Sequence, residues 1–240
     1  MNDTISLRQQ LTAAPDRVLA RLPSMGKVMV VTQGGGVTHE RIGVVERIKK
    51  DESRITFAGS AHDCTVDMAH VASAIADRSG RMKDKVLPKL EFADTDGRLM
   101  FSVVGLDGLE KFDDALARFV GVAVAPTVKE QGPSVTLDGR DPGLAPLVAA
   151  HKAGEEIAIE LQKPGVVQRW RGFVPPVNPA MGFINVITSD FHLHLRGGTV
   201  ARWECQETNV IGHVRLRAFD ADGNPVGLTL QGPQNAFEAS

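Results

Sequence analysis

Tyrosine is absent from this chain of 240 residues, and aromatic residues make up only 5% of it. A platform for stacking nucleobases needs aromatics set among basic residues. The net charge of −2 supplies no basic face either, so no nucleic-acid partner is expected. Cysteine is nearly absent. Cys64 and Cys205 are too few for a disulfide framework, so free thiols and a cytoplasmic setting are expected. Long hydrophobic runs are missing too. The most apolar stretch, FVGVAVA at 119–125, falls far short of the roughly 20 residues that cross a bilayer. The opening MNDTISLRQQ lacks the apolar centre of a secretion signal. No HExxH, paired CxxC, GxSxG or Walker loop occurs, which removes the self-contained zinc, hydrolase and nucleotide signatures.

What the sequence does contain is one unit written twice. Residues 28–45 read VMVVTQGGGVTHERIGVV and residues 157–174 read IAIELQKPGVVQRWRGFV. A shift of 129 carries Gln33 onto Gln162, Gly36 onto Gly165, Val37 onto Val166, Gly43 onto Gly172 and Val45 onto Val174. The same shift carries Ile55 onto Ile184 and Val71 onto Val200. A shift of 127 then brings FADTDGRL (92–99) onto FDADGNPV (219–226). A repeat this long exceeds a solenoid unit. It predicts two copies of one small domain, stacked as a pseudo-dimer around a central cleft that can hold a ligand. The expected divisions are a first repeat with N-terminal helices at 1–125, a linker at 126–143 and a second repeat at 144–240.

Local patterns fill in the two copies. Residues 5–21 predict short helical pieces. Strands are expected at 27–32 and 37–48, joined by the glycine turn 34–36. Further strands are expected at 54–59 and 66–77, the latter with some helical character. Asp94-Thr95-Asp96-Gly97 predicts a hairpin turn between 90–93 and 99–104. The spacing of Leu109, Phe112, Leu116 and Phe119 predicts an amphipathic helix over 106–120. In the second copy a helix at 144–152 stops at Gly154. Strands follow at 156–161, 166–173, 183–188, 191–195, 199–206, 212–219 and 226–231, with a loop at 175–180 and no pattern after Pro233. The fold class is therefore α+β, mainly antiparallel sheet with flanking helices.

Seven histidines are the main candidates for chemistry. His192 and His194 alternate on one strand, so both imidazoles share a face. Such a pair can bind a metal or flank a porphyrin; the alternative is a polar, solvent-facing strand. His62 and His70 flank AHDCTVDMAH and divide in the same way between ligand and ordinary residue. His39 and His213 read as structural. His151 closes a helix, where a cation suits the C-terminal dipole. Arg78 ends the run VASAIAD, either projecting into a cleft to meet an anionic group or ending the strand in solvent. Trp170 and Trp203 read as core or pocket lining.

The run INVITSDFHLHLRGGTVARWECQETNVIGHVRLRAFDADG resembles the C-terminal repeat of the HemS/ChuS-type haemin-utilisation proteins. GKVMVVTQGGGVTHERIGVVERI with VASAIADR resembles the N-terminal repeat, a design shared by the single-unit ChuX/HutX-type proteins. The resemblance implies stacked antiparallel sheets, haem as cofactor and a role in iron acquisition. It places Arg78 where the family has an Arg on one haem face. It makes His62, His70 and His194 the candidate iron ligands, with His192 beside them. The full-length members carry an iron-binding His on a linker helix, and residues 126–150 contain none. The expected function is an intracellular haem carrier or store, working as a monomer with an internal pseudo-two-fold. The alternatives are a haem-degrading enzyme with an external electron donor, or a small-ligand or interaction protein without haem. Either haem reading implies a haem-delivering or electron-donating partner protein.

Overall fold

The computed structural model describes residues 6–126, 137 and 139–238. The fold is α+β, mostly antiparallel strands in two large sheets. The chain divides into two compact units. The first holds residues 1–32, 41–131 and 164–166; the second holds 33–40, 132–163 and 167–240. The division is not contiguous, because the turn of each copy's first hairpin groups with the other unit. The linker expected at 126–143 falls largely outside the described residues.

In chain order the first half forms β1 (Arg8–Leu11), α1 (Pro15–Leu19), β2 (Lys27–Gly34), β3 (Val37–Val44), β4 (Arg47–Asp51), β5 (Arg54–Ala58), β6 (Asp63–Asp67), β7 (Ser73–Asp77), β8 (Arg81–Met82), β9 (Lys85–Val86), β10 (Lys89–Ala93), β11 (Leu99–Gly105), α2 (Leu109–Leu116) and β12 (Gly121–Ala123). Within unit 1 the strands run β12-β1-β7-β10-β11-β2 and, separately, β4-β5-β6. Phe92 and Phe101 stack at 4.6 Å in a core that also buries Leu19, Phe57, Leu90 and Phe112.

The second half forms α3 (Ala145–Ala153), β13 (Glu156–Lys163), β14 (Val166–Phe173), β15 (Asn178–Ala180), β16 (Phe183–Ile187), β17 (Phe191–Arg196), β18 (Arg202–Glu207), β19 (His213–Phe219) and β20 (Pro225–Pro233). Within unit 2 the strands run β18-β19-β20-β13-β14 and, separately, β17-β16-β15. The core packs Leu147, Ile159, Trp170, Val186, Phe191 and Leu230. Trp170 stacks on Phe191 at 4.6 Å. Gly154 ends α3 in the left-handed region at φ 64°, as its position after the helix predicts.

The repeat survives as element boundaries. A shift of 129 turns the limits of β2 into those of β13, β3 into β14 and β5 into β16. The turn glycines are equivalent as well. Gly36 has φ 81°, and a Cβ there would lie 2.3 Å from Thr199 Oγ1; Gly165 has φ 76°, and a Cβ there would lie 2.7 Å from the His70 Cβ. Thr199 and His70 are themselves 129 residues apart. Both turns need glycine for conformation and for space.

Four stretches differ from expectation. The strand expected at 37–48 is two, β3 and β4, and the loop expected at 175–180 ends in β15. Residues 8–11 are a strand, not helix, because β1 pairs with β7 on one side and β12 on the other. Its Arg8 is buried between Asp77 at 3.0 Å and Glu91 at 2.6 Å, a local bond pattern that hydrophobic spacing does not encode. Residues 66–77 are neither one strand nor a helix. Strand β6 ends at Asp67, whose side chain caps a single 3-10 turn, Met68–His70, before β7 begins. After Pro233 a 3-10 turn, Gln234–Phe237, buries Ala236. Cys64 is buried and Cys205 exposed, and neither forms a disulfide among the described residues. Among the described residues no helix is long and apolar enough to cross a membrane.

Arg8 holds two carboxylates that burial would otherwise penalise. Lys89 also pairs with Glu91 at 2.5 Å and with Asp77 at 3.6 Å, so losing Arg8 leaves each carboxylate one cation and costs less than the about 3–5 kcal/mol of a wholly uncompensated buried charge. Arg8→Ala is expected to lower the urea-unfolding free energy by less than that amount, and Arg8→Ala with Lys89→Ala by more, with no change in the denaturant slope.

Candidate functional site

Strand alternation decides what each histidine does. On β17, Phe191, Leu193 and Leu195 enter the core of unit 2, while His192 and His194 lie on the opposite face, partly exposed. On β3, His39 is buried and Glu40 faces the other way. His39 Nε2 meets the Ile159 carbonyl at 3.2 Å, and its ring lies 4.8 Å from Phe191. The expected structural role of His39 is what the packing shows. Likewise His151 Nδ1 meets the Val174 carbonyl at 2.9 Å, so a specific hydrogen bond, more than a helix dipole, fixes it. Trp170 is core, and the Trp203 Nε1–H donates to the Pro142 carbonyl at 2.9 Å.

The two β17 imidazoles converge on one carboxylate. His192 Nδ1 lies 3.1 Å from Glu40 Oε2, and His194 Nε2 lies 3.9 Å from the same oxygen. The Glu40 side chain is only 14% exposed. Burial opposes its ionisation, but the bonds and charges of His194 and His192 outweigh that and hold its pKa below the ordinary value. Behind His194, its Nδ1 meets Asn185 Oδ1 at 2.6 Å. The Asn185 amide nitrogen donates to the carbonyls of Asn178 at 2.9 Å and Phe183 at 3.2 Å. Sequence reading paired His192 with His194 but missed Glu40 and Asn185. Glu40 is 152 residues from His192, and no local spacing signals a pairing of that range.

His62, His70 and Arg78 belong to unit 1 and are not brought together. His62 is 3% exposed, with Nε2 on the Gly43 carbonyl at 3.1 Å. Its Nδ1 is buried without a hydrogen-bond partner among the described residues. His70 ends the 3-10 turn with its side chain 50% exposed, and its Nδ1 faces Asp67 Oδ2 at 3.8 Å. Arg78 follows β7, which alone spans about 13 Å, so His70 and Arg78 stand at opposite ends of that strand. The Arg78 guanidinium donates to Asp113 Oδ1 at 2.7 Å and Gln9 Oε1 at 3.2 Å and lies over Phe112. Both readings of Arg78, cleft ligand and solvated strand end, thus meet a side chain already engaged with α2.

An open groove of about 610 Å³ in unit 1 was not anticipated. Arg17, Arg47, Lys49 and Lys50 rim it over Ala20, Ile48 and Ile55. Asp16, paired with Lys50 at 2.8 Å, and Glu46 also line it, and the lining contains no histidine to meet iron.

Residues 4–119 match the haemin-degrading HemS.ChuX domain. The chain carries a domain of the HemS/ChuX family. No curated protein sequence matches the chain. Among solved structures it is similar to ChuS, described as a heme oxygenase from E. coli, with a TM-score of 0.77 and 17% identity over 95% of this chain and 83% of that one. It is also similar to PhuS, described as a heme-binding protein from Pseudomonas aeruginosa. In its holo form PhuS aligns with a TM-score of 0.75 and 15% identity over 95% of this chain and 82% of that one. At such identities the likeness establishes the fold alone.

The family's cofactor sets a chemical requirement that residues here can be tested against. Haem iron needs an imidazole nitrogen that is neutral and reachable by a flat macrocycle. His62 does not fit, because both ring nitrogens are interior. His192 and His194 face a carboxylate oxygen within 3.1 and 3.9 Å, too little room for a porphyrin between them. His70 fits on exposure. Asp67 on its Nδ1 side leaves Nε2 outward, the arrangement a ligating histidine takes.

The buried His62 ties stability to pH in the HemS/ChuX domain. Burial lowers its pKa, with Arg41 adding to the effect and the Gly43 carbonyl opposing it. A depressed folded-state pKa means that the unfolded chain binds the extra proton first. The folded state is thus fully favoured above the free-histidine value near 6.5 and loses stability as pH falls below it. Denaturation midpoints are expected to drop between pH 7 and 5 in the parent, and to drop less in His62→Gln.

Proposed function

We propose that the chain binds haem through its HemS/ChuX domain, with His70 as the iron ligand and carriage or storage as its role. One observation carries the reading: within the matched residues, His70 alone among the sequence candidates presents a half-exposed imidazole whose Nδ1 faces a carboxylate. Bound haem would supply a ferric centre open to exchange between proteins. The part of His70 is to give Nε2 to that centre. Asp67 Oδ2 lies 3.8 Å from Nδ1, close enough to favour a proton on that nitrogen but too far for a hydrogen bond; the other Asp67 oxygen, Oδ1, accepts from the Ala69 amide at 3.0 Å, so ligand and carboxylate belong to one capped turn. Arg78 would have to leave Asp113 before reaching a propionate, so it is assigned to positioning α2.

The heme-oxygenase description of ChuS favours ring opening as a second reading. The same experiment separates the two. Haemin is titrated into the purified chain and followed by Soret absorbance, after which ascorbate is added. A shifted band saturating at one equivalent and surviving ascorbate supports carriage; loss of the band under ascorbate supports degradation. His70→Ala is expected to weaken binding at least about tenfold, and His213→Ala to leave it unchanged. A flat titration overturns haem binding. A His70→Ala variant that binds like the parent overturns the ligand.

A further inference from the structure

The cluster on β3 and β17 poses a problem of hydrogen-bond bookkeeping. Asn185 is 8% exposed, and its amide nitrogen is committed to main-chain carbonyls. Flipping the amide would set its oxygen against those carbonyls, so Oδ1 is the atom that faces His194. Oδ1 only accepts. His194 Nδ1 must therefore carry the hydrogen, and in the neutral ring Nε2 carries a lone pair. Glu40 Oε2, which only accepts, lies 3.9 Å from that nitrogen. In the neutral tautomer the two are acceptors facing one another, while His192 Nδ1 hydrogen-bonds the same oxygen at 3.1 Å.

A cation resolves this, and the distances select its kind. A proton on Nε2 would make an ion pair with Glu40 at 3.9 Å but not a hydrogen bond, which needs an oxygen within about 3.2 Å. Bonds of about 2.0–2.2 Å from nitrogen and oxygen to a metal ion span 3.1 and 3.9 Å without moving Glu40. The three donor atoms all lie within 4.8 Å of one another. Two such bonds reach about 4.2 Å between donors, so a small rotation of the rings, 28% and 31% exposed, completes the contact. Two imidazoles with one carboxylate suit a borderline first-row ion; calcium and magnesium prefer all-oxygen sites.

The fold itself does not need these side chains. The positions 129 residues away from His192, His194, Asn185 and Glu40 are Asp63, Thr65, Thr56 and Arg169. The equivalent strands form with that different set. Thr56 and Thr65 simply share a hydrogen bond at 3.3 Å.

We propose that Glu40, His192 and His194 bind a divalent first-row transition-metal ion, with Asn185 positioning His194 and the solvent side of the rings leaving coordination places open. This site is independent of haem binding and of His70.

The test uses the full chain, freed of metal by chelator and kept free of haem. Cobalt(II) is titrated and followed by its visible ligand-field bands, and zinc(II) by calorimetry. One saturable equivalent at micromolar concentration is expected. Glu40→Gln and His194→Ala should each abolish the cobalt bands, and Asn185→Ala should weaken zinc by about 10–100-fold. If a variant misfolds, nitrogen NMR of the parent still decides. A zinc-induced shift confined to His192 and His194 supports the site. No binding at micromolar metal overturns it, as does binding that survives Glu40→Gln and His194→Ala. His194 doubly protonated at neutral pH and unmoved by zinc overturns it as well.

Discussion

The two-residue period of β3 and β17 is the constraint on which both the core and the candidate chemistry depend. One face of each strand must be apolar, because a slip by one residue would carry the whole apolar set to the other side. Phe191, Leu193 and Leu195 meet that demand on β17. The alternate positions are then free of packing duty, and they hold His192 and His194. On β3 the same rule sends His39 inward against Phe191 and Glu40 outward to the imidazoles. A buried histidine and a metal-type cluster thus arise from adjacent residues under one geometric rule.

Much of the fold was legible because it rests on this period and on turn chemistry. The hairpins at Gly34-Gly35-Gly36 and Asp94–Gly97, the α3 stop at Gly154 and the 129-residue repeat all follow from signals a few residues wide, or from self-similarity. The misread stretches share a cause. Strand β1 exists because Arg8 finds Asp77 and Glu91, which lie 69 and 83 positions along the chain. The break between β6 and β7 exists because Asp67 caps a short turn. Neither partner choice leaves a periodic trace.

The candidate site was legible only in part, for the same reason. Alternation alone placed His192 and His194 on one face. It could not say that the face holds Glu40, nor that Asn185 fixes the ring. Resemblance supplied Arg78, His62, His70 and His194 as haem residues, and packing sets them in unlike surroundings. Sequence spacing sees His62 and His70 as equals, eight positions apart. Burial makes one a neutral interior group on the Gly43 carbonyl and leaves the other half exposed beside Asp67. Arg78 illustrates the converse: a cation at the end of an apolar strand is as well explained by a carboxylate on the next helix as by a ligand.

Duplication explains how one scaffold can hold unlike chemistry in its copies. Matching strand limits and matching turn glycines show which features the repeat unit cannot give up: Gly36 and Gly165 both sit where a Cβ would strike a neighbour. The exposed positions of the strands carry no such restriction. On strands β6 and β14 they are Asp63, Thr65 and Arg169, where Thr65 shares a hydrogen bond with Thr56 and Arg169 pairs with Glu160. On β3 and β17 they are Glu40, His192 and His194, which the proposed cation would join. Since the first set folds the same strands, the second is not required by the architecture.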